Sequence, residues 1–152
     1  MKLLLQRVSQ AAVQVEDRVV GQIDQGLVVL LGVGQGDTAA ITDRMIDKLL
    51  GLRIFADEAG KMNRSVVDAG GGVLMISQFT LYADCRRGRR PAFTAAAPPD
   101  LAEQLYQHAI DSVRRRGVPV AAGIFAADMQ VSLTNDGPVT ILLDSAEILA
   151  AS

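Results

Sequence analysis

His108 and Cys85 are the only histidine and the only cysteine in 152 residues, so any catalysis by this chain has to be built without the commonest acid-base and nucleophilic groups. A Ser-His-Asp arrangement sets its histidine between a nucleophile and an orienting carboxylate. Nothing near His108 in sequence marks such a set, and its place mid-helix on an apolar stripe gives it a structural role. Cys85 stands beside Arg86 and Arg87, cations that lower a thiol pKa. Without a second histidine or an asparagine constellation it reads as a bystander thiol. One His and one Cys do not make a closed zinc site, and no carboxylate run has the spacing of a calcium loop. Neither a metal nor a cofactor is expected.

What remains is hydroxyls, amides and backbone. Ser77-Gln78-Phe79-Thr80-Leu81-Tyr82 puts hydrogen-bonding side chains directly after the apolar run Val73 to Ile76, and strand ends commonly present functional groups. Asn135-Asp136-Gly137-Pro138-Val139-Thr140 places a Gly-Pro pair at a strand-to-strand corner, where glycine before proline reaches backbone geometries closed to other residues. Gly32-Val33-Gly34-Gln35-Gly36 lies between a strand and a helix, but its spacing is not that of a dinucleotide loop, and it reads as a plain turn. Arg86, Arg87, Arg89 and Arg90, with Arg114-Arg115-Arg116, are the only basic concentrations in a chain of net charge −2. A phosphate-contacting face and an ordinary solvated surface are both open readings of them.

The elements that must hold these groups show as periodicities. Leu3 to Val8, then Ala11, Val13 and Val15 alternating with their neighbours, then Val19 to Ile23 read as strands, and their short connections imply antiparallel pairing. Leu27 to Val33 is continuously apolar, as in a strand covered on both faces. Asp37 or Thr38 caps a helix over about 38–50, in which Ile41, Met45 and Leu49 recur before Gly51. Leu52 to Phe55 and Val73 to Phe79 are further strands. A second helix over roughly 100–116 has Asp100 as its cap, Leu101, Leu105, His108 and Ser112 on one face, and Gly117 as its stop. Between them Cys85 to Pro99, with three prolines, is a long excursion. Met129 to Thr134 and Pro138 to Leu143 are two last strands about the turn Asn135-Asp136-Gly137. The fold class is α+β, a mainly antiparallel β-sheet with a barrel-like core and two principal helices, in one domain over 1–152.

Composition bounds the function classes. With 49% apolar and 21% charged residues the chain has a core to bury, which excludes wholesale disorder. Only 4% of residues are aromatic and none is Trp, so there is no broad platform for stacking bases. The net negative charge argues against non-specific coating of nucleic acid, and no DNA partner is expected. Leu27 to Leu31, the longest apolar run, falls far short of the ~20 residues of a membrane span. Met1-Lys2-Leu3-Leu4-Leu5 is too short for a signal-peptide core, and Cys85 has no disulfide partner. A soluble cytoplasmic protein with no membrane partner is expected.

The separate segments together resemble the D-aminoacyl-tRNA deacylase family nearly end to end. The resemblance rests on Arg7-Val8, Leu27 to Gly32, Gly36-Asp37, Leu52-Arg53-Ile54-Phe55, Lys61-Met62-Asn63 and Arg90-Pro91-Ala92-Phe93. Above all it rests on the pair Ser77-Gln78-Phe79-Thr80-Leu81 and Asn135-Asp136-Gly137-Pro138-Val139-Thr140. It implies hydrolysis of the ester joining a D-amino acid to the 3′ end of tRNA, with glycyl-tRNA as a further substrate. It implies a homodimer with the active site at the subunit interface, where a cis Gly137-Pro138 corner of one subunit enters the pocket of the other. The corner's carbonyls would accept the substrate α-amino group and its backbone would strike an L side chain. Arg7 would help hold the corner and Met129 would line the pocket. Backbone N–H groups near Phe79 and Thr80 are the candidates for stabilising the oxyanion, with Ser77 and Gln78 orienting the site. Thr80 as a nucleophile lacks a base, so attack by water assisted by the tRNA's own ribose hydroxyl is preferred. Ala83 and Ala126 depart from the family, which usually has glycine there. Two rivals stay open: a module that binds RNA without turnover, and an editing enzyme for L-amino acids, which would need a trans Gly137-Pro138 bond.

Overall fold

One strand of 14 residues, β1 (Lys2–Val15), carries the sheet, and the computed structural model, which describes residues 1–150, builds outward from both of its edges. Along one edge β1 pairs antiparallel with β3 (Gly26–Gly32) over Lys2 to Val8 and then with β2 (Arg18–Ile23) over Ala11 to Val15. Along the other it pairs antiparallel with β8 (Gln130–Asp144) for nearly its whole length. β6 (Gly72–Ser77) joins β3 in parallel, and β7 (Val120–Ala122) joins β6 in parallel. The path β2-β1-β3-β6-β7 curls until its ends approach: a Cβ built on Gly21 of β2 would stand 2.7 Å from the Ala122 carbonyl oxygen of β7. The result is a nearly closed barrel.

Alternation along the strands makes two cores from one sheet. Leu27, Val29 and Leu31 share a face with Leu3, Leu5, Val73 and Met75, and this face is covered by α1 (Ala39–Gly51) and α2 (Pro99–Arg115) through Met45, Ile46, Leu49, Leu105 and Ala109. Val28, Leu74 and Ile76 turn the other way and meet Val8, Ala11 and Val13 in a smaller core. Both faces of β3 are therefore buried, which explains its unbroken apolar sequence. A short helix, α3 (Ser145–Ile148), follows β8. Its Ser145 Oγ accepts from the Met1 ammonium, which also pairs with the buried Asp37 carboxylate, each at 2.7 Å.

The sheet is mainly antiparallel, as expected, with parallel pairing among β3, β6 and β7, where a helix lies in each connection and gives the chain length to cross over. Several finer sequence expectations are corrected. Leu3 to Val8 and Ala11 to Val15 form one strand, whose inward face changes parity where the pairing with β8 slips between Val8 and Gln10. Leu52 to Phe55 contributes only β4 (Phe55–Ala56), paired with β5 (Met62–Arg64). The strand expected to reach Phe79 stops at Ser77, and Phe79–Tyr82 is a 3-10 turn. Thr38 caps α1, its Oγ1 accepting from Ile41 N–H at 3.2 Å, whereas Asp37 serves the clasp just described. Asp100 is not a cap either: Pro98 holds the N-cap of α2, Pro99 its first position, and Asp100 lies in the first turn, where a negative charge suits the helix dipole. The two last strands are one, β8, with the Gly-Pro corner inside it. No helix among the described residues is long and apolar enough to cross a membrane.

Candidate active site

The three parallel strands end at one rim, and a cavity of about 620 Å³ opens there. Val33 follows β3, Ser77 and Gln78 close β6, and Phe125 to Ala127 lie beyond β7. The rim is fixed by backbone: Ser77 pairs with Leu31, and Gln78 N–H donates to the Leu31 carbonyl at 2.8 Å. The chain then tightens into the 3-10 turn, whose first bond runs from Leu81 N–H to the Gln78 carbonyl at 3.3 Å. The N–H groups of Phe79 and Thr80 precede that bond and have no acceptor within the turn. The Gln78 side-chain amide donates to Thr80 Oγ1, tying the two residues on either side of Phe79. Phe79 itself is 55% exposed and meets Phe93 edge to face, ring centroids 5.0 Å apart.

Opposite, the excursion after Cys85 folds back as wall. Ala97 N–H donates to the Val33 carbonyl at 2.9 Å and Gln35 N–H to the Ala95 carbonyl at 3.1 Å, which brings Phe93, Ala96 and Ala97 to the cavity. Met129 lines it from the start of β8. Gly123 makes room for that side chain, since a Cβ there would stand 2.5 Å from Met129 Sδ. Among the described residues the cavity has no titratable side chain in its lining, and no cluster of acidic, His or Cys groups suited to a metal occurs.

The Gly-Pro corner is a bulge. Gln6 pairs with Thr140 and Val8 with Asn135, so Asp136 to Val139 have only Arg7 opposite them on β1. Arg7 uses that position: its Nε donates to the Asp136 carbonyl at 2.8 Å and its Nη1 to the Ile54 carbonyl at 2.6 Å. Asn135 closes the base, Oδ1 accepting from Val139 N–H at 2.8 Å and Nδ2 donating to the Val139 carbonyl at 3.2 Å and to Thr140 Oγ1 at 3.0 Å. Gly137 has φ +151°, and the Gly137–Pro138 bond is cis.

With the cavity and the braced corner in hand, comparison with known proteins is decisive. The family model described as D-Tyr-tRNA(Tyr) deacylase matches residues 4–144. A curated relative from Rhodopirellula baltica, named D-aminoacyl-tRNA deacylase, is 61% identical over 144 residues, covering 95% of this chain and 99% of its own. The chain belongs to the D-aminoacyl-tRNA deacylase family. Among solved structures, one described as c-Myc DNA Unwinding Element Binding Protein superposes at TM-score 0.90, with 40% identity over 95% of this chain and 98% of that one. A second, described as a probable eukaryotic D-amino acid tRNA deacylase, superposes at TM-score 0.79 with 20% identity, covering 93% of this chain and 97% of that one, and supports the fold alone.

Within this deacylase chain the sequence-selected residues fall into two groups. Ser77, Gln78, Phe79 and Met129 line the cavity, with Thr80 just past its wall. Arg7, Gly137 and Pro138 meet at the corner and do not line the cavity of their own chain. Phe125, Ala96 and Asn135's bracing were missed: small apolar linings carry no chemical signal, and Asn135 read only as a turn residue. His108 Nε2 meets Asp43 Oδ1 across the two helices at 3.0 Å, and Cys85 is free and exposed. Ala126 takes φ +63° in the cavity wall, a backbone that suits glycine better, whereas Ala83 is extended at φ −62°.

Proposed function

We propose that this chain hydrolyses the ester between a D-amino acid and the 3′-terminal ribose of tRNA, releasing the free D-amino acid and the tRNA hydroxyl. The observation that carries the mechanism is the uncharged cavity, whose lining among the described residues offers donors and shape but no acid, base or activated nucleophile. Water attacks the ester carbonyl, assisted by the neighbouring ribose hydroxyl of the substrate. The N–H groups of Phe79 and Thr80 receive the developing oxyanion, a term typically worth 10²–10³ in rate per donor. The Gln78 to Thr80 bond holds those amides in place, and Ser77 orients the entering ester.

The chirality filter is the braced corner of a second copy. Gly137 and Pro138 leave their own cavity untouched and stand out from a bulge, as an element built for a partner does. Their carbonyls accept the substrate α-amino group, and an L side chain meets backbone. Rejection by steric clash is stronger than rejection by one missing contact. A hydrogen passes the same filter, so glycyl-tRNA is a substrate. The outer edge of β8, with Val131 and Leu133 more than a third exposed, supports the pairing of two copies.

Deacylation of matched D-tyrosyl- and L-tyrosyl-tRNA, with a G137A/P138A control, tests the proposal. Loss of the D ester alone, abolished in the control, is expected. Cleavage of both esters overturns the filter, and cleavage of neither overturns the reaction.

A further inference from the structure

The two arginine concentrations are not alike once folded. Arg114, Arg115 and Arg116 lie at the end of α2 and are spent within the chain: Arg114 pairs with Asp111 at 3.1 Å, Arg115 with Asp43 at 3.9 Å and Arg116 with Asp47 at 2.7 Å. The other group occupies a hairpin tip whose base is closed by Asp84 N–H to the Ala92 carbonyl at 2.7 Å and Ala92 N–H to the Asp84 carbonyl at 3.0 Å. Arg86 is held back to that base by Asp84, at 2.6 and 2.8 Å. Arg87, Arg89 and Arg90 are exposed and have no ion pair or side-chain hydrogen bond among the described residues. Within four residues of an acidic chain they concentrate three exposed positive charges without an ion pair.

Their position supplies the ligand. Ala92, at the base of the hairpin, is followed at once by Phe93, which lines the cavity and packs on Phe79. Two residues of chain span at most about 7 Å, so the Arg90 backbone lies within that distance of Ala92, and its side chain extends further. A polyanion whose end occupies the cavity beside Phe93 comes within reach of this tip. We propose that Arg87, Arg89 and Arg90 bind phosphate groups of the RNA strand whose aminoacylated 3′ end enters the cavity; this rests on the deacylase reading above. The cavity recognises the acyl end without charge, and the hairpin supplies the affinity for the nucleic acid.

The test separates the two parts. Deacylated tRNA binding is measured between 50 and 200 mM salt for the parent chain, for R87Q/R89Q/R90Q and for R114Q. Three lost phosphate contacts make the slope of log affinity against log salt shallower by about 2 to 3, so the parent loses roughly 20- to 40-fold more affinity over that range than the triple variant. R114Q keeps the parent slope. Turnover of D-tyrosyl-tRNA falls with the lost affinity in the triple variant, while turnover of 3′-O-D-tyrosyl-adenosine, which has no phosphate, is unchanged. An unaltered slope overturns the proposal. So does equal loss on both esters, which would make the hairpin a shaper of the cavity, or weakened binding of duplex DNA with tRNA binding intact. If the parent chain cleaves neither ester, the deacylase reading fails, and the salt slope still decides the phosphate contacts.

Discussion

Ala126 has the least comfortable backbone in the cavity wall. A non-glycine residue at φ +63° costs on the order of 1–2 kcal/mol relative to its right-handed conformation, and the looser unfolded chain of a glycine variant returns about 0.4–1 kcal/mol of that. Ala126→Gly is therefore expected to raise stability by about 0.5–1 kcal/mol in chemical denaturation. A drop would show that the alanine methyl packs productively. Thr80 is the second case. Its oxygen accepts from Gln78, and no lining group can take its proton. Thr80→Ala is expected to slow turnover by no more than about 10²-fold, the scale of a small misplacement. Loss on the order of 10⁶, as when a covalent nucleophile is removed, would make Thr80 that nucleophile. The polar run Ser77 to Thr80 was legible because its chemistry is local. The grip of Arg7 on Asp136 spans 129 positions, and no local pattern in the sequence encodes a contact that the sheet register alone creates.

At the scale of elements, Asp43 is one of two carboxylates on α1 that tie it to α2, Asp47 taking Arg116. Asp43 accepts from Ser112 Oγ at 2.9 Å and meets His108 Nε2 at 3.0 Å. Burial works to raise its pKa, but the bonds from Ser112 and His108, with the charges of His108 and Arg116, outweigh it and leave the carboxyl below its ordinary 3.8. A depressed carboxylate contributes stability that is present above the ordinary value and is lost as pH falls through the folded one. Asp43→Asn should lower the melting temperature at neutral pH, and the difference from the parent should shrink below about pH 4. A difference that stays constant down to pH 3 would assign the clamp to shape instead of charge. Helix α1 was readable from its stripe and Thr38. The 3-10 turn was not, since Phe79 and Leu81 return apolar residues in strand-like alternation after Ser77 and Gln78 while the backbone has already turned. The mainly antiparallel character was legible in the short loops at the start of the chain, while which later strands run parallel was not, since each of those connections carries a helix.

For the whole molecule the open edge of β8 is the feature to explain. β8 runs for 15 residues and pairs only with β1 among the described strands, and an unprotected edge of that length invites another chain. Light scattering is expected to give twice the chain mass, and Leu133→Lys, a charge on the exposed edge, to give a single chain without deacylation. A dimer that survives this change would place the interface elsewhere. The sequence carried the barrel because its alternation is a one-chain property; an arrangement of two chains leaves only indirect marks, such as exposed Val131 and Leu133. The corner's separation from its own cavity also has a genetic meaning. Each chain would carry a tool that it does not use and a workplace that it cannot equip. A mixed dimer of a corner-defective chain and a cavity-defective chain then assembles one sound tool against one sound workplace. Two failing alleles expressed together would restore a function that neither restores alone.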